Sequence, residues 1–154
     1  MTMTSRSNDE NKYGLITDKT GRVFSLFVRQ PFASALCEGL KSVEIRSKWT
    51  AVRGNILICS TALHDYRNAQ GGSTIGIAEL YDIKPVGELN DEQWAMTRVT
   101  DREKVKGGWA WLLRNQRRVI EFPVHSHNKI SYIDIILDDI TTYPTVVIYD
   151  KDVN

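Results

Sequence analysis

The distribution of hydrophobic and polar positions along the chain predicts six or seven short strands and two short helices. Val23-Phe24-Ser25-Leu26-Phe27-Val28 is a run of strand formers and marks the first ordered element. Pro31 follows, where a helix can begin because the missing donor would be unpaired there anyway. In that helix Phe32 and Leu36 fall one turn apart beside Ala33 and Cys37, a narrow apolar stripe. Gly39 predicts a left-handed stop, with Leu40 folding back onto the last turn.

Ser42-Val43-Glu44-Ile45-Arg46 alternates polar and apolar residues, as a half-buried strand does. Arg53-Gly54 punctuates, and residues 55–60 read as a buried strand. Residues 62–72 are loop-like, and residues 75–83 return to strand, with Gly76 permitting a bulge or a close backbone approach. Asn90 or Asp91 caps a short helix running to Met96. Residues 109–113 and 119–124 read as two strands around a basic turn, Arg114-Asn115-Gln116-Arg117-Arg118. Residues 130–137 fit a strand or a short helix, and residues 145–149 a last strand. The expected architecture is a compact mixed β-barrel with short helices. Residues 1–20 are polar and aperiodic and read as a flexible tail; residues 21–154 form one domain.

At 154 residues the chain has room for one real core, and its 42% hydrophobic and 25% charged content is that of a globular protein rather than a disordered one. No apolar run is long enough to span a bilayer, and no apolar signal-peptide core opens the chain, so no membrane association and a cytoplasmic location are expected. Cys37 and Cys59, both in apolar contexts, read as buried free thiols. The net charge of +1 hides an asymmetry: residues 98–118 hold seven basic side chains against Asp101 and Glu103, whereas five aspartates face Lys151 from residue 131 onward. A basic face suits an anionic partner, though a solvated surface accounts for the same charges.

The informative stretch lies between the first helix and the next strand. A helix ending at Gly39 puts Lys41 at the mouth of that strand, where Ser42, Glu44 and Arg46 share one face while Val43 and Ile45 point to the core. Strand residues two apart sit roughly 6.5–7 Å from each other, so Glu44 and Arg46 bracket one polar ligand and Lys41 approaches from the helix side. Lysine, carboxylate and arginine together offer an anion clamp, a proton carrier and a planar hydrogen-bond fork. A surface salt-bridge cluster is the plainer reading of the same spacing.

Gly39-x-Lys41-x-x-Glu44-x-Arg46, preceded by a strand, Gln30-Pro31 and a short helix, resembles the activating-signal-cointegrator homology (ASCH) domain. Arg53-Gly54-Asn55-Ile56-Leu57-Ile58, Thr74-Ile75-Gly76-Ile77-Ala78-Glu79-Leu80, and Trp111-Leu112-Leu113 with Arg117-Arg118-Val119 are similar to later family segments in order and spacing. The resemblance implies an α+β, PUA-like mixed β-barrel with short flanking helices and an RNA-contacting cleft lined by the Lys-x-x-Glu-x-Arg motif. It also implies hydrolase relatives: one subgroup deacetylates acetylcytidine with a motif lysine, a threonine and a separate glutamate, and other members are ribonucleases. Glu44 stands at the threonine position here, a departure from that mechanism because a carboxylate is a different nucleophile. His125-Ser126-His127 stands where many members carry a glycine, a second departure.

Two readings follow. The first is an RNA- or nucleotide-binding module, with DNA as a further candidate ligand, built from Arg29, Gln30, Lys41, Ser42, Glu44, Arg46, Trp49, Arg53, Arg117 and Arg118. The second is a small hydrolase, an acetylcytidine-type amidohydrolase or a ribonuclease, with Lys41 and Glu44 catalytic. Of the tryptophans, Trp49 is the candidate for base stacking, Trp111 reads as core, and Trp94 packs its helix. His64, His125 and His127 lack an acidic partner at metal-site spacing, and Gln70-Gly71-Gly72-Ser73-Thr74 lacks a P-loop lysine and reads as a turn. No metal and no cofactor are expected. A protein-interaction role has no sequence feature in its favour beyond the versatility of small barrels.

Overall fold

The computed structural model describes residues 11–61, 71–126 and 128–143. Its elements follow the order β1 (Val23–Val28), α1 (Phe32–Cys37), β2 (Val43–Arg46), β3 (Gly54–Thr61), β4 (Gly71–Pro85), α2 (Asp91–Ala95), β5 (Trp109–Arg118), β6 (Pro123–His125) and β7 (Ile130–Ile133), with short 3-10 turns at Val86–Glu88, Arg102–Val105 and Leu137–Asp139. They build one curled mixed sheet in the order β2-β5-β4-β3-β1-β7, with β6 added to β4. Among the described strands only β1 and β3 pair in parallel. Every residue of β1 is buried, which is why it reads as a run of strand formers, apolar apart from Ser25, rather than as an alternation. Its side chains feed two cores on opposite faces of the sheet. Phe24, Leu26 and Val28 pack with α1 and Trp111; Val23 and Phe27 pack with Val119, Ile133, Ile135 and Ile140.

A third, smaller core lies under the connection between β4 and β5, where Val43, Ala110 and Leu112 meet Val86 and Leu89, with Ile45 and Trp94 at its margin. Of the two caps the sequence offered, Asn90 and Asp91, it is Asn90 that starts α2, and it does so through a reciprocal capping box with Gln93. Among the described residues no helix is long and apolar enough to cross a membrane.

Three sequence expectations change. The basic stretch 114–118 is no turn: β5 continues through it, with Arg114 opposite Glu79, Arg117 opposite Ile77 and Arg118 opposite Gly76. Two register shifts against β4 and a left-handed Asn115, at φ 53, break the alternation that marks a strand. Gly71 to Thr74 likewise belongs to β4, paired with β6 and β3. Residues 11–20 are packed: Leu15 is buried and bridges to Asn55, and Thr17 bridges to Val23. Their apolar positions carry no period, so pattern alone leaves them out. Residues 130–137 resolve into β7 and its exit; the expected strand over 145–149 lies outside the described residues.

Candidate nucleic-acid interface

At Gly39, φ +80, α1 stops and the backbone turns back, so that Leu40 and Lys41 N–H both donate to the Ala35 carbonyl at 3.0 and 3.2 Å. The Leu40 side chain itself stays exposed. This turn places Lys41 two residues before β2. Glu44 then pairs across the ladder with Trp111 and Arg46 with Trp109, residues of the α1-side core and its margin. Cross-strand partners share a face, so Glu44 and Arg46 look inward, not outward. Val43 and Ile45 sit under the β4–β5 connection. Both faces of β2 are therefore covered, which a four-residue alternating pattern cannot signal.

The three motif side chains converge. Lys41 Nζ donates to the Thr97 carbonyl at 2.5 Å, lies 3.3 Å from Glu44 Oε1, and stands 5.7 Å from the Phe32 ring centre. Arg46 Nη1 donates to Glu44 Oε2 at 3.1 Å and to the Phe27 carbonyl at 3.3 Å, tying β2 across to β1. The side chains of Lys41, Glu44 and Arg46 are only 5%, 12% and 14% exposed, so the expected solvent-open hollow around Lys41 is instead a closed cluster. Burial lowers the Lys41 pKa, against the pull of the Glu44 charge and hydrogen bond, which raise it.

The open concavities lie one step further along, where β2 ends. A cavity of about 420 Å³ is lined by Arg46, Ser47, Lys48, Asn128, Lys129 and Ile130. A second, of about 290 Å³, is lined by Ile45, Arg46, Ser47, Lys104, Val105, Lys106, Gly107 and Gly108. Arg46 and Ser47 belong to both. Among the described residues the Arg46 hydrogen bonds use Nη1, so Nε and Nη2 have no partner there and can serve a ligand. Trp111 Nε1 donates to the Lys48 carbonyl at 3.0 Å and fixes the exit segment to the core. Among the described residues no carboxylate pairs with Lys48 or Lys129.

The chain matches the ASCH domain over residues 26–146. It belongs to the ASCH domain family. That family is generally associated with RNA, and every candidate binding residue falls within the matched range. Among solved structures, the crystal structure of ASCH from Zymomonas mobilis aligns with a TM-score of 0.50 at 21% identity, covering 64% of this chain and 71% of that one. Two point mutants of the same protein align with TM-scores of 0.49 at 21% identity, over 64% of this chain and 73% and 72% of theirs. At that identity the likeness bears on the fold alone, a curled mixed sheet with short helices. No curated protein matches the chain.

Within the ASCH domain, the other candidate residues are dispersed. Trp49 is 52% exposed next to Lys48, with the Arg53 guanidinium 5.7 Å from its ring. Arg53 also donates to the Thr50 and Val52 carbonyls at 2.7 and 2.8 Å. Arg29 is exposed at the turn before α1, whereas the Gln30 side chain binds Ser34 N and Oγ in the first turn of that helix. Ser42 gives its N–H to Met96 and its carbonyl to Leu113. Arg117 and Arg118 lie eight and nine strand residues beyond Trp109, the partner of Arg46, and are not brought to the cavities. Arg118 pairs instead with Glu38 and Glu121, and Arg117 donates to the Asn115 carbonyl. His125 is exposed on β6; His64 and His127 lie outside the described residues. Sequence reasoning missed Lys48, Asn128 and Lys129 as a group. Only the cation content of residues 98–118 hinted at Lys104 and Lys106.

Proposed function

We propose that this ASCH domain binds RNA or a nucleotide-like ligand, with the ligand's phosphate held at the exit of β2 by Arg46, Lys48 and Lys129. The observation that carries the reading is the 420 Å³ cavity, whose three cations include Arg46, the one motif residue that reaches both the buried cluster and an open surface. Glu44 does not clamp the ligand. It orients Arg46, and Lys41 balances Glu44 from the other side. A planar guanidinium held by a carboxylate is suited to bidentate phosphate recognition. Trp49, exposed beside Lys48, offers a face on which an unpaired base stacks.

Fluorescence anisotropy with a labelled single-stranded RNA tests this. Affinity should fall steeply as salt rises, and Arg46→Ala should weaken binding about tenfold, the loss of a charge-assisted hydrogen bond. Lys48→Ala and Lys129→Ala should each reduce the salt slope by about 0.7. An affinity indifferent to salt and to Arg46 would contradict the reading.

The hydrolase alternative is favoured by one observation, a buried lysine of lowered pKa in contact with a carboxylate, an arrangement found where protons are transferred. In it Lys41 orients the attacking group, Glu44 carries the proton and Arg46 holds the developing charge. Turnover of acetylcytidine or of short RNA, abolished by Lys41→Met, supports it. Folded protein that turns over neither removes it.

A further inference from the structure

The two cavities at the end of β2 share a ridge, Arg46 and Ser47, and each has its own pair of lysines: Lys48 and Lys129 on one side, Lys104 and Lys106 on the other. We propose that a single nucleic-acid strand crosses this ridge, with successive phosphates in the two cavities, so that the Lys104–Lys106 side is a second phosphate subsite. The proposal rests on the reading that the first cavity holds a nucleotide phosphate.

The second side is held in shape by its own backbone. Gly107, φ +81, turns the chain, and Gly108 sits so close to β2 that an added Cβ would meet Ile45 Cγ2 at 2.9 Å. Gly108 N–H donates to Val105 at 3.0 Å, its carbonyl accepts from Val86 at 3.1 Å, and Asp101 caps the Arg102–Val105 turn through Glu103 N–H at 3.1 Å. At the base of the loop the Arg102 guanidinium lies 4.5 Å from the Trp94 ring centre. The loop therefore presents Lys104 and Lys106 without a large ordering cost. Among the described residues no carboxylate pairs with either lysine, in contrast to Arg22, Arg114 and Arg118. Five cations around one ridge exceed what a single phosphate can neutralise. A polymer with a phosphate at every residue uses both sides. The strand is single because Trp49, exposed and next to Lys48 in the chain, takes the face of an unpaired base, whereas a base stacked within a duplex has no free face to offer.

Uridine monophosphate, a single-stranded uridine octamer, the matching DNA octamer and an RNA duplex of the same length, titrated into the full chain, decide the matter. The octamers should bind at least about tenfold tighter than the mononucleotide and than the duplex, and the tighter of the two octamers names the sugar the path takes. In a Lys104→Ala/Lys106→Ala variant with unchanged melting temperature, the octamer's advantage over the mononucleotide should shrink about tenfold, and its salt slope should fall by about 1.4. An octamer no tighter than the mononucleotide, a preference for duplex, or an advantage that survives the double substitution overturns the two-cavity path while leaving the first phosphate site standing. Absence of binding by mononucleotide and octamers alike overturns both.

Discussion

With the Thr97 carbonyl on one side and Glu44 on the other, Lys41 is a charged group enclosed by protein, and its lowered pKa records the cost of that enclosure. Glu44→Gln leaves this cation without its counter-charge and should destabilise the fold by roughly 3 kcal/mol in urea unfolding. Removing Glu79 from its exposed pair with Arg114 should leave the urea midpoint nearly unchanged. The pH dependence has a defined sign. Between the lowered folded pKa of Lys41 and its ordinary value of 10.5 the unfolded chain holds the extra proton, so this group's contribution to stability rises with pH there. Lys41→Met should flatten that rise. Asp18 acts at the other end: the Thr20 hydroxyl foremost, then the N–H groups of Arg22 and Thr20 and the Arg22 charge, hold its pKa at about 2 against 3.8. Its contribution is full above 3.8 and is lost as pH falls through about 2, so Asp18→Asn should remove part of the acid-side slope of stability. Burial pushes the Cys37 thiol up to about 12 and raises that of Cys59 as well, so a thiol reagent should label both only on unfolding. Spacing alone made the meeting of Lys41, Glu44 and Arg46 legible. Their burial was not, because it depends on distant segments: Trp109 and Trp111 of β5 and the Phe27 carbonyl beside Glu44 and Arg46, and the Thr97 carbonyl beside Lys41.

The strands show the same division at the scale of elements. β1, α1, the Gly39 stop, β2 and the capped α2 were readable because each carries a local signal: a run of strand formers, a stripe, a glycine, an alternation, an Asn-Asp cap. β5 was ended at residue 113 by reading because its bulges displace the alternation at the point where its exposed basic residues begin, and the strand expected over 119–124 is reduced to β6. Gly76 was flagged for a bulge or close approach, and the close approach is real. A Cβ there would meet the Arg117 carbonyl and come within 2.7 Å of Cys37 Cβ, wedging α1 from the sheet. Gly76→Ala should therefore cost roughly 1–3 kcal/mol by overpacking, seen as a lower urea midpoint at unchanged m-value.

For the molecule as a whole, the net charge of +1 describes little, because what matters is which cations have partners. Arg22, Arg114 and Arg118 are held in ion pairs, and β5 carries the last two away from β2. The cations that gather around Arg46 come from three segments distant in the chain, 46–48, 104–106 and 129. The pairing of β5 with β2 brings 104–106 beside Arg46, and the curling of the sheet brings β7 and Lys129 to the other side. That is why the family and its fold were legible in the sequence while the lysine set was not: motif spacing is local, and a cavity between segments is not.

Amide chemical-shift mapping of the labelled protein, titrated with a single-stranded RNA octamer at low salt, tests the central claim most directly. The largest shifts should fall on residues 45–49, 104–108 and 128–130, together with the Trp49 indole, and should fade as salt is raised. Shifts centred on Glu79, Arg114 and Arg118, or a saturating titration that leaves residues 45–49 unmoved, would contradict it.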